Sequence, residues 1–349
     1  MRFMEKHRLH YVEFYITNVC NLNCPNCNRF NNFYFKGHYN WKDNEHVYRQ
    51  WSEIIDFNNI GILGGESLLN PDFDNWFLGI CDLWPNSSIN ITTNGTMLTK
   101  KKKLYNLLTS VKNKVMLSVG CHNLDLKDLY QQQCENLFLD DYSVTYGTHD
   151  IDYKAWKNSY NIIKDVSWPE CNTPEDFLKL PQNIQHECQY THGVSYENHR
   201  LQYQKVYIKN GKNFTISLYP QHRFVNSTVI YDNPTQTLSL NKSDPKKAMD
   251  ICMLKTCHHF IEGKLYKCGP VGVLPEFIKQ YHVERDAEQD ELIHSYRPAS
   301  VDWNQNDLKE FIKNLHDEVP IPQCSLCPDK FVETEFAASS NKIKIRQID

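Results

Sequence analysis

The feature that most constrains this fold is a regular alternation of short apolar runs with longer amphipathic segments in the first 140 residues. Apolar runs of strand length occupy 10–17, 60–63, 87–95 and 114–120. Segments with helical spacing of apolar residues separate or follow them, at 43–57, 70–84, 99–110 and 124–138. Strands that alternate with helices in this way form βαβ units around a parallel sheet. The sequence therefore predicts an α/β protein.

The remainder of the chain is less regular. Residues 140–195 are polar and rich in tyrosine, 196–209 favours a helix, and "FTISLYP" at 214–220 predicts a strand. The following stretch, which contains Pro234 and "NKSDPKK", is expected to be a linker. The end of the sequence, "SSNKIKIRQID", is expected to be a loosely held tail.

Charge and cysteine content restrict the functional classes. A net charge of -4 gives no electrostatic reason to expect a nucleic acid or a membrane as partner. The first ten residues carry several charges, unlike a signal peptide, and no apolar stretch approaches the ~20 residues of a membrane span. We therefore expect a soluble, cytoplasmic protein. Because the cytosol keeps thiols reduced, the 13 cysteines indicate metal or redox chemistry rather than a disulfide framework.

Three cysteines lie in "TNVCNLNCPNCNRF", directly after the first predicted strand: Cys20, Cys24 and Cys27. A closed zinc site needs four ligands, so these three would require a distant fourth. A cubane iron–sulfur cluster offers an alternative, because three thiolates hold three of its irons and leave the fourth iron open. Both interpretations stay open on the spacing alone.

Polar and glycine residues also follow the next strands. "GGES" ends the second apolar run, "TTNGT" ends the third, and a serine lies near the end of the fourth. Each motif alone is most often a turn. The carboxyl ends of successive parallel strands nevertheless meet at one edge, where barrel active sites assemble. The candidate residues are Gly64, Gly65, Glu66, Thr93, Asn94 and Ser118.

Together these motifs resemble the signature of the radical SAM superfamily. The resemblance implies that the three-cysteine loop holds a [4Fe-4S] cluster whose open iron binds S-adenosylmethionine (SAM), and that the six strand-end residues contact SAM. It also implies a partial (β/α)6 TIM-like barrel over 1–225, and a flavodoxin- or ferredoxin-type electron donor. Asn26 departs from the pattern, because the family usually has an aromatic residue before the last cysteine.

A second set of cysteines lies near the C-terminal end: Cys257, Cys268, Cys324 and Cys327. Four thiolates close either a zinc tetrahedron or a cubane. Cys252 could serve as a ligand in place of Cys257. We prefer Cys257, because it is followed by Gly263 and Cys268, which form a Gly-x4-Cys pair in a predicted hairpin.

This second pattern resembles the twitch domain, a shortened SPASM-like extension of some radical SAM enzymes. The resemblance implies a small α+β domain over 250–335 with one auxiliary [4Fe-4S] cluster, a linker over 226–249 and a tail over 336–349. The expected function is radical oxidation, by hydrogen abstraction from a small polar molecule or a side chain, with the auxiliary cluster as electron relay. Crosslinking or epimerisation of a ribosomal peptide is one alternative. A non-catalytic protein with structural metal clusters is the other.

Overall fold

The computed structural model describes most of the chain. The described residues are 6–100, 103–123, 126–137, 142–146, 195–197, 200–202, 205–209, 214–220, 223–225, 227–330 and 333–335. Most of the polar segment 140–195 and all of the predicted tail 336–349 therefore lie outside the described residues.

The strands and helices follow the predicted alternation in the first 140 residues. The strands are β1 (His7–Tyr15), β2 (Ile55–Leu63), β3 (Ser88–Thr93), β4 (Val115–Cys121), β5 (Tyr142–Tyr146), β6 (Ser195–Glu197), β7 (Arg200–Gln202), β8 (Lys205–Lys209), β9 (Phe214–Pro220), β10 (Arg223–Val225), β11 (Val229–Asp232), β12 (Thr237–Leu240), β13 (His258–Ile261), β14 (Lys264–Tyr266) and β15 (Glu333–Glu335). The helices are α1 (Trp41–Ile54), α2 (Phe73–Leu83), α3 (Leu104–Leu108), α4 (Lys127–Leu137), α5 (Pro245–Asp250), α6 (Gly269–Gln280), α7 (Ala287–Ser295) and α8 (Gln305–His316).

Most of the strands form one large sheet. In the described part of the chain it has nine strands, in the order β14-β13-β1-β2-β3-β4-β9-β8-β5. Neighbours from β13 to β9 are parallel, whereas β14, β8 and β5 add antiparallel pairs at the two edges. The protein is thus a mixed α/β protein with a mostly parallel sheet, as the sequence predicts, and the arrangement is consistent with a radical SAM partial barrel.

The two faces of the central strands differ in chemistry. Ile89 and Ile91 of β3 are fully buried in the main core, together with the tryptophans of α1 and α2. Because successive side chains of a strand point to opposite faces, Asn90 and Thr92 lie on the other face. The sheet therefore has an apolar face towards the helices and a polar face, which is the side available for a site.

Two segments differ from the sequence predictions. Residues 196–209 form the short strands β6, β7 and β8 instead of a helix. The run "KVYIK" is rich in residues that favour strands, and this preference outweighs the helical spacing. The expected linker contains the hairpin β11–β12 and the helix α5. Leu238 and Leu240 of this hairpin are buried in a second core, which explains why the segment is ordered.

The C-terminal half is joined to the sheet. The hairpin β13–β14 extends it, since β13 pairs in parallel with β1 and Phe260 packs in the main core. The second core joins Phe277 of α6 to Phe30 and Phe33, which follow the three-cysteine loop. Among the described residues, no helix is long and apolar enough to cross a membrane.

Candidate functional site

The three-cysteine loop is anchored to the glycines that end β2. The backbone N–H of Gly65 donates to the carbonyl of Thr17 at 2.8 Å, and that of Glu66 donates to the carbonyl of Val19 at 2.8 Å. A Cβ atom on Gly65 would lie 2.3 Å from the Val19 carbonyl oxygen, and one on Gly64 would lie 2.5 Å from that of Thr17. The two glycines are therefore needed for this close approach of the two loops.

Glu66 ties the end of β2 to the end of β3. Its fully buried carboxylate accepts hydrogen bonds from Thr93 Oγ1 at 2.8 Å, from the Asn94 backbone N–H at 2.7 Å and from the Leu68 backbone N–H at 3.0 Å. Burial raises the pKa of Glu66, and these three donors oppose that rise. The structure thus places Gly64, Gly65, Glu66, Thr93 and Asn94 in one cluster beside the cysteine loop.

Asn94 links this cluster to the first cysteine. Its side-chain amide lies 3.8 Å from Cys20 Sγ and donates to Asn21 Oδ1 at 2.9 Å. Its Oδ1 accepts from the Thr96 hydroxyl at 2.6 Å, which orients the amide nitrogen towards the thiol. The backbone N–H of Leu22 also points to Cys20 Sγ, at 3.5 Å. Donors of this kind stabilise a thiolate and tune the potential of a cluster that it holds.

The other two cysteines also have polar neighbours, which sequence reasoning missed. Cys24 Sγ lies 3.5 Å from His122 Nδ1, and Cys27 Sγ lies 3.8 Å from Asn31 Oδ1. His122 follows β4 directly, so its position at the carboxyl end of a parallel strand was the available signal. Asn31 offered no such signal, because its role depends on the turn of the chain after Cys27.

Ser118 lies in the middle of β4, on the polar face of the sheet, and not at the strand end like the other candidates. Its hydroxyl donates to Asn90 Oδ1 at 2.7 Å, and it pairs in register with Thr92 on one side and Ser217 on the other. The structure therefore places Ser118 in a polar row across three strands.

The backbone of the cysteine loop explains the unusual residue at position 26. Asn26 has φ +55°, in the left-handed region, where asparagine is far more common than bulkier residues. Phe30 has φ +61°, which is unfavourable for an aromatic residue. Its ring is fully buried against Phe277, with ring centroids 4.9 Å apart, and this packing holds the strained turn.

A buried charge network connects the two cysteine regions. Arg29 Nη2 donates to Glu13 Oε2 at 2.7 Å, and His259 Nε2 lies 2.9 Å from the same oxygen. Burial alone raises the pKa of Glu13, but Arg29 and His259, with a hydrogen bond from Tyr11, hold it at about 2. Burial lowers the pKa of His259. The network thus joins an ionised carboxylate, a guanidinium and an imidazole, and it lies between the loop of Cys27 and the strand after Cys257.

Five C-terminal cysteines gather around the start of α6. A negative charge on Cys252 would raise the pKa of Cys257, Cys268 and Cys327, and a charge on Cys324 would raise that of Cys252, so these thiols lie near one another. Burial raises the pKa of the Cys257 and Cys268 thiols well above their usual range, and that of Cys327 to about 12.

Hydrogen bonds distinguish the members of this group. Cys252 Sγ accepts from the Leu254 backbone N–H at 3.3 Å, and Cys327 Sγ shares a hydrogen bond with Thr228 Oγ1 at 3.2 Å. The charges that most affect Cys257 are instead those of Glu13 and Arg29. Cys252 therefore has contacts that suit a thiolate ligand, whereas Cys257 lies towards the charge network.

The donor chemistry of both regions fits iron–sulfur clusters. Each region offers several thiols, with backbone N–H groups directed at the sulfurs of Cys20 and Cys252 and the Thr228 hydroxyl within hydrogen-bond distance of the sulfur of Cys327. Sulfur ligands with such neighbours are the coordination that iron–sulfur clusters use.

Comparison with known proteins identifies the N-terminal part of the chain. Residues 14–134, about a third of the chain, match the family model described as Radical SAM superfamily. The comparison with curated proteins finds no significant match. The family match supports the radical SAM prediction for residues 14–134, which include the cysteine loop and the strand-end motifs.

Solved structures match at low identity. SuiB of Streptococcus suis bound to S-adenosylmethionine is 13% identical, with 86% of this chain and 65% of that chain covered and a TM-score of 0.39. SuiB bound to the precursor peptide SuiA is 12% identical, with 86% and 64% covered and a TM-score of 0.39. BtrN in complex with AdoMet and 2-DOIA is 12% identical, with 94% and 100% covered and a TM-score of 0.36. This chain thus spans just under two thirds of the SuiB chains that it matches.

Proposed function

Because residues 14–134 belong to a radical SAM domain, we propose that this protein is a radical SAM enzyme that oxidises a small polar molecule and passes the surplus electron to an auxiliary cluster. The observation that carries the proposal is the arrangement around the loop: Cys20, Cys24 and Cys27 each have a polar neighbour, and Cys20 adjoins Asn94 at the end of β3.

The roles of the N-terminal residues follow from their contacts. Cys20, Cys24 and Cys27 would hold the first cluster, and the backbone of Gly64 and Gly65 would face SAM beside it. When bound, the first cluster supplies the electron that splits SAM into methionine and a 5′-deoxyadenosyl radical, and the auxiliary cluster takes up the electron left after substrate oxidation.

Glu66 and Thr93 influence this site indirectly, by holding the backbone at the ends of β2 and β3 in place. The Glu66 carboxylate is occupied by donors from within the protein, so we assign it the role of fixing the ends of β2 and β3. Asn94 would orient the Cys20 sulfur. Ser118, whose hydroxyl donates to Asn90 on the polar face, would contact the cofactor or the substrate.

For the auxiliary cluster we propose Cys252, Cys268, Cys324 and Cys327 as ligands, in a twitch-type region over 250–335. We prefer Cys252 to Cys257, the ligand expected from the sequence, because the Cys252 sulfur accepts a backbone hydrogen bond and the charges that most affect Cys257 are those of Glu13 and Arg29. The radical SAM core would extend over 1–225, and β13 would join the two regions through its pairing with β1.

The side chains on the polar face of the sheet suit a small polar substrate, because they can form hydrogen bonds with it. Asn90, Thr92 and Ser118 lie on this face. Groups of this kind bind hydroxyl or amino groups through hydrogen bonds. A peptide substrate is the competing proposal, and the structure of SuiB with a precursor peptide makes it worth an assay.

Anaerobic reconstitution with iron counting tests the cluster assignments. We expect about eight irons per wild-type chain and about four in the variant in which Cys20, Cys24 and Cys27 are all replaced by alanine. Cys81→Ala, in the buried core of α2, is the matched control and should keep about eight. About four irons with one zinc in the wild type would contradict the auxiliary cluster.

The catalytic part of the proposal has a separate readout. Wild-type protein supplied with SAM and a reductant should produce 5′-deoxyadenosine, and the triple alanine variant should not. Absence of this product from protein that holds both clusters would favour a non-catalytic role. Mass spectrometry of candidate alcohols, amines and peptides then separates loss of two hydrogens from crosslinking or epimerisation.

A further inference from the structure

A buried lysine lies among the C-terminal cysteines. Lys267 immediately precedes Cys268, between β14 and α6, and its side chain is only 5% exposed. The backbone on both sides is fixed, because the Lys267 N–H donates to the Tyr296 hydroxyl at 2.9 Å and its carbonyl contacts His258 Nδ1 at 2.9 Å. The position of this side chain is therefore set by the same turn that places Cys268.

The ammonium group of Lys267 has no counter-charge from a carboxylate. Within the described part of the chain, Nζ has no hydrogen-bond partner, and no Asp or Glu forms an ion pair with it. Its charge is felt by the Cys252 and Cys324 thiols, where it opposes the rise in pKa that burial causes. The charge of Lys267 thus acts on two of the proposed ligand cysteines and on His258, and Lys267 is the neighbour in sequence of a third ligand, Cys268.

A buried ammonium without an anionic partner is strongly unfavourable. Such a residue persists where an anion occupies the neighbouring space. Four cysteine thiolates outweigh the positive charge of an iron–sulfur core, so a cluster bound here is an anion, and it becomes more negative when it accepts an electron. The nearby positive charge therefore favours the reduced form.

We propose that Lys267 is a positioning residue that compensates the charge of the auxiliary cluster and raises its reduction potential. The inference rests on the proposed auxiliary cluster and deepens it, since it names a residue of this chain that sets the potential of that cluster. A cluster that is easily reduced can accept electrons from the substrate. It would be a poor low-potential electron donor.

A redox titration tests this role directly. The Cys20/Cys24/Cys27 triple alanine variant serves as background, so that the signal of the auxiliary cluster is read alone by electron paramagnetic resonance. In this background K267M and K267Q remove the charge, and K267R keeps it. Methionine should fold at least as well as lysine, because it fills similar volume without a buried charge. Lys279→Gln is the control, since Lys279 is an exposed lysine in the last turn of α6, away from the cysteines at its start, where it pairs with Glu276.

We expect K267M and K267Q to lower the equilibrium constant for reduction at least tenfold, which corresponds to about 59 mV for a one-electron couple. K267R and K279Q should change it less than twofold. Loss of the cluster from K267M with retention in K267R supports the same role. An unchanged potential in K267M, or an equal fall in K267R, overturns the inference. A background variant without any iron contradicts the auxiliary cluster itself, so the two failures are distinguishable.

Discussion

Glu66 and Asn94 are joined across the ends of two neighbouring parallel strands, with the Asn94 backbone N–H donating to Glu66 Oε2 at 2.7 Å. The same asparagine directs its side-chain amide at Cys20 Sγ. The acidic residue of the "GGE" motif thereby sets the position of a group that contacts the cysteine loop, without touching the loop through its own side chain.

Replacement of Glu66 by glutamine should therefore weaken both the fold and the site. In E66Q an NH2 group stands in place of one carboxylate oxygen, and this group faces N–H or hydroxyl donors of neighbouring residues instead of accepting from them. A buried donor left without an acceptor costs about 1–3 kcal/mol, so we expect E66Q to lower the free energy of unfolding by about 2 kcal/mol. Anaerobic urea denaturation measures this change, and SAM affinity should fall in parallel.

Glu45→Gln is the control for E66Q. Glu45 lies on α1 and pairs with Arg49 on the protein surface, where ion pairs contribute less than about 1 kcal/mol. If E66Q is as stable as E45Q and binds SAM like the wild type, the role assigned to Glu66 is wrong.

Asn94→Asp should lower the reduction potential of the first cluster. The substitution keeps the shape of the side chain but replaces the N–H group 3.8 Å from Cys20 Sγ with a carboxylate oxygen. Negative charge beside a thiolate ligand disfavours the added electron. A redox titration of the SAM-free protein measures the effect, with Asn306→Asp at the exposed start of α8 as control. A potential that stays the same in N94D would show that this amide does not influence the cluster.

The stability of the protein should fall as the pH is lowered from 7 to 5. Burial, helped by the charge of Lys267, lowers the pKa of His258 to about 4. Between that value and the usual value near 6.5, the unfolded chain binds a proton that the folded protein does not, so stability increases with pH. One group of this kind contributes about 2 kcal/mol over this range.

Urea denaturation at several pH values tests the role of His258. H258Q should remove about 2 kcal/mol of the pH dependence, whereas His46→Gln, exposed on α1, should leave the profile unchanged. The visible absorbance of the clusters, recorded in the same samples, shows whether they remain bound. An identical pH profile for H258Q and the wild type would contradict the assignment.

The sequence predicted the parts of the fold that depend on local pattern. The alternation of strands and helices, and the placement of Gly64 and Asn94 at strand ends, follow from periodicity and turn chemistry. The partners Glu13, Arg29 and His259 could not be predicted, because they come from three distant segments and meet only through the pairing of β1 with β13. The strand β13 itself had no signal that would assign it to the main sheet.

Restoring an aromatic residue at position 26 should destabilise the protein, although the family usually has one there. Asn26 has φ +55°, where an ordinary L-residue costs about 1–2 kcal/mol and glycine costs little. We expect the free energy of unfolding to fall by about 1 kcal/mol in N26Y and N26A, and N26G to be more stable than N26A.

Asn28, which is not at positive φ, is the matched control, and there alanine should be at least as stable as glycine. Urea denaturation of the five variants measures the order. If N26Y matches or exceeds the wild type, or if glycine and alanine rank alike at both positions, the left-handed backbone does not explain the departure of this loop from the family pattern.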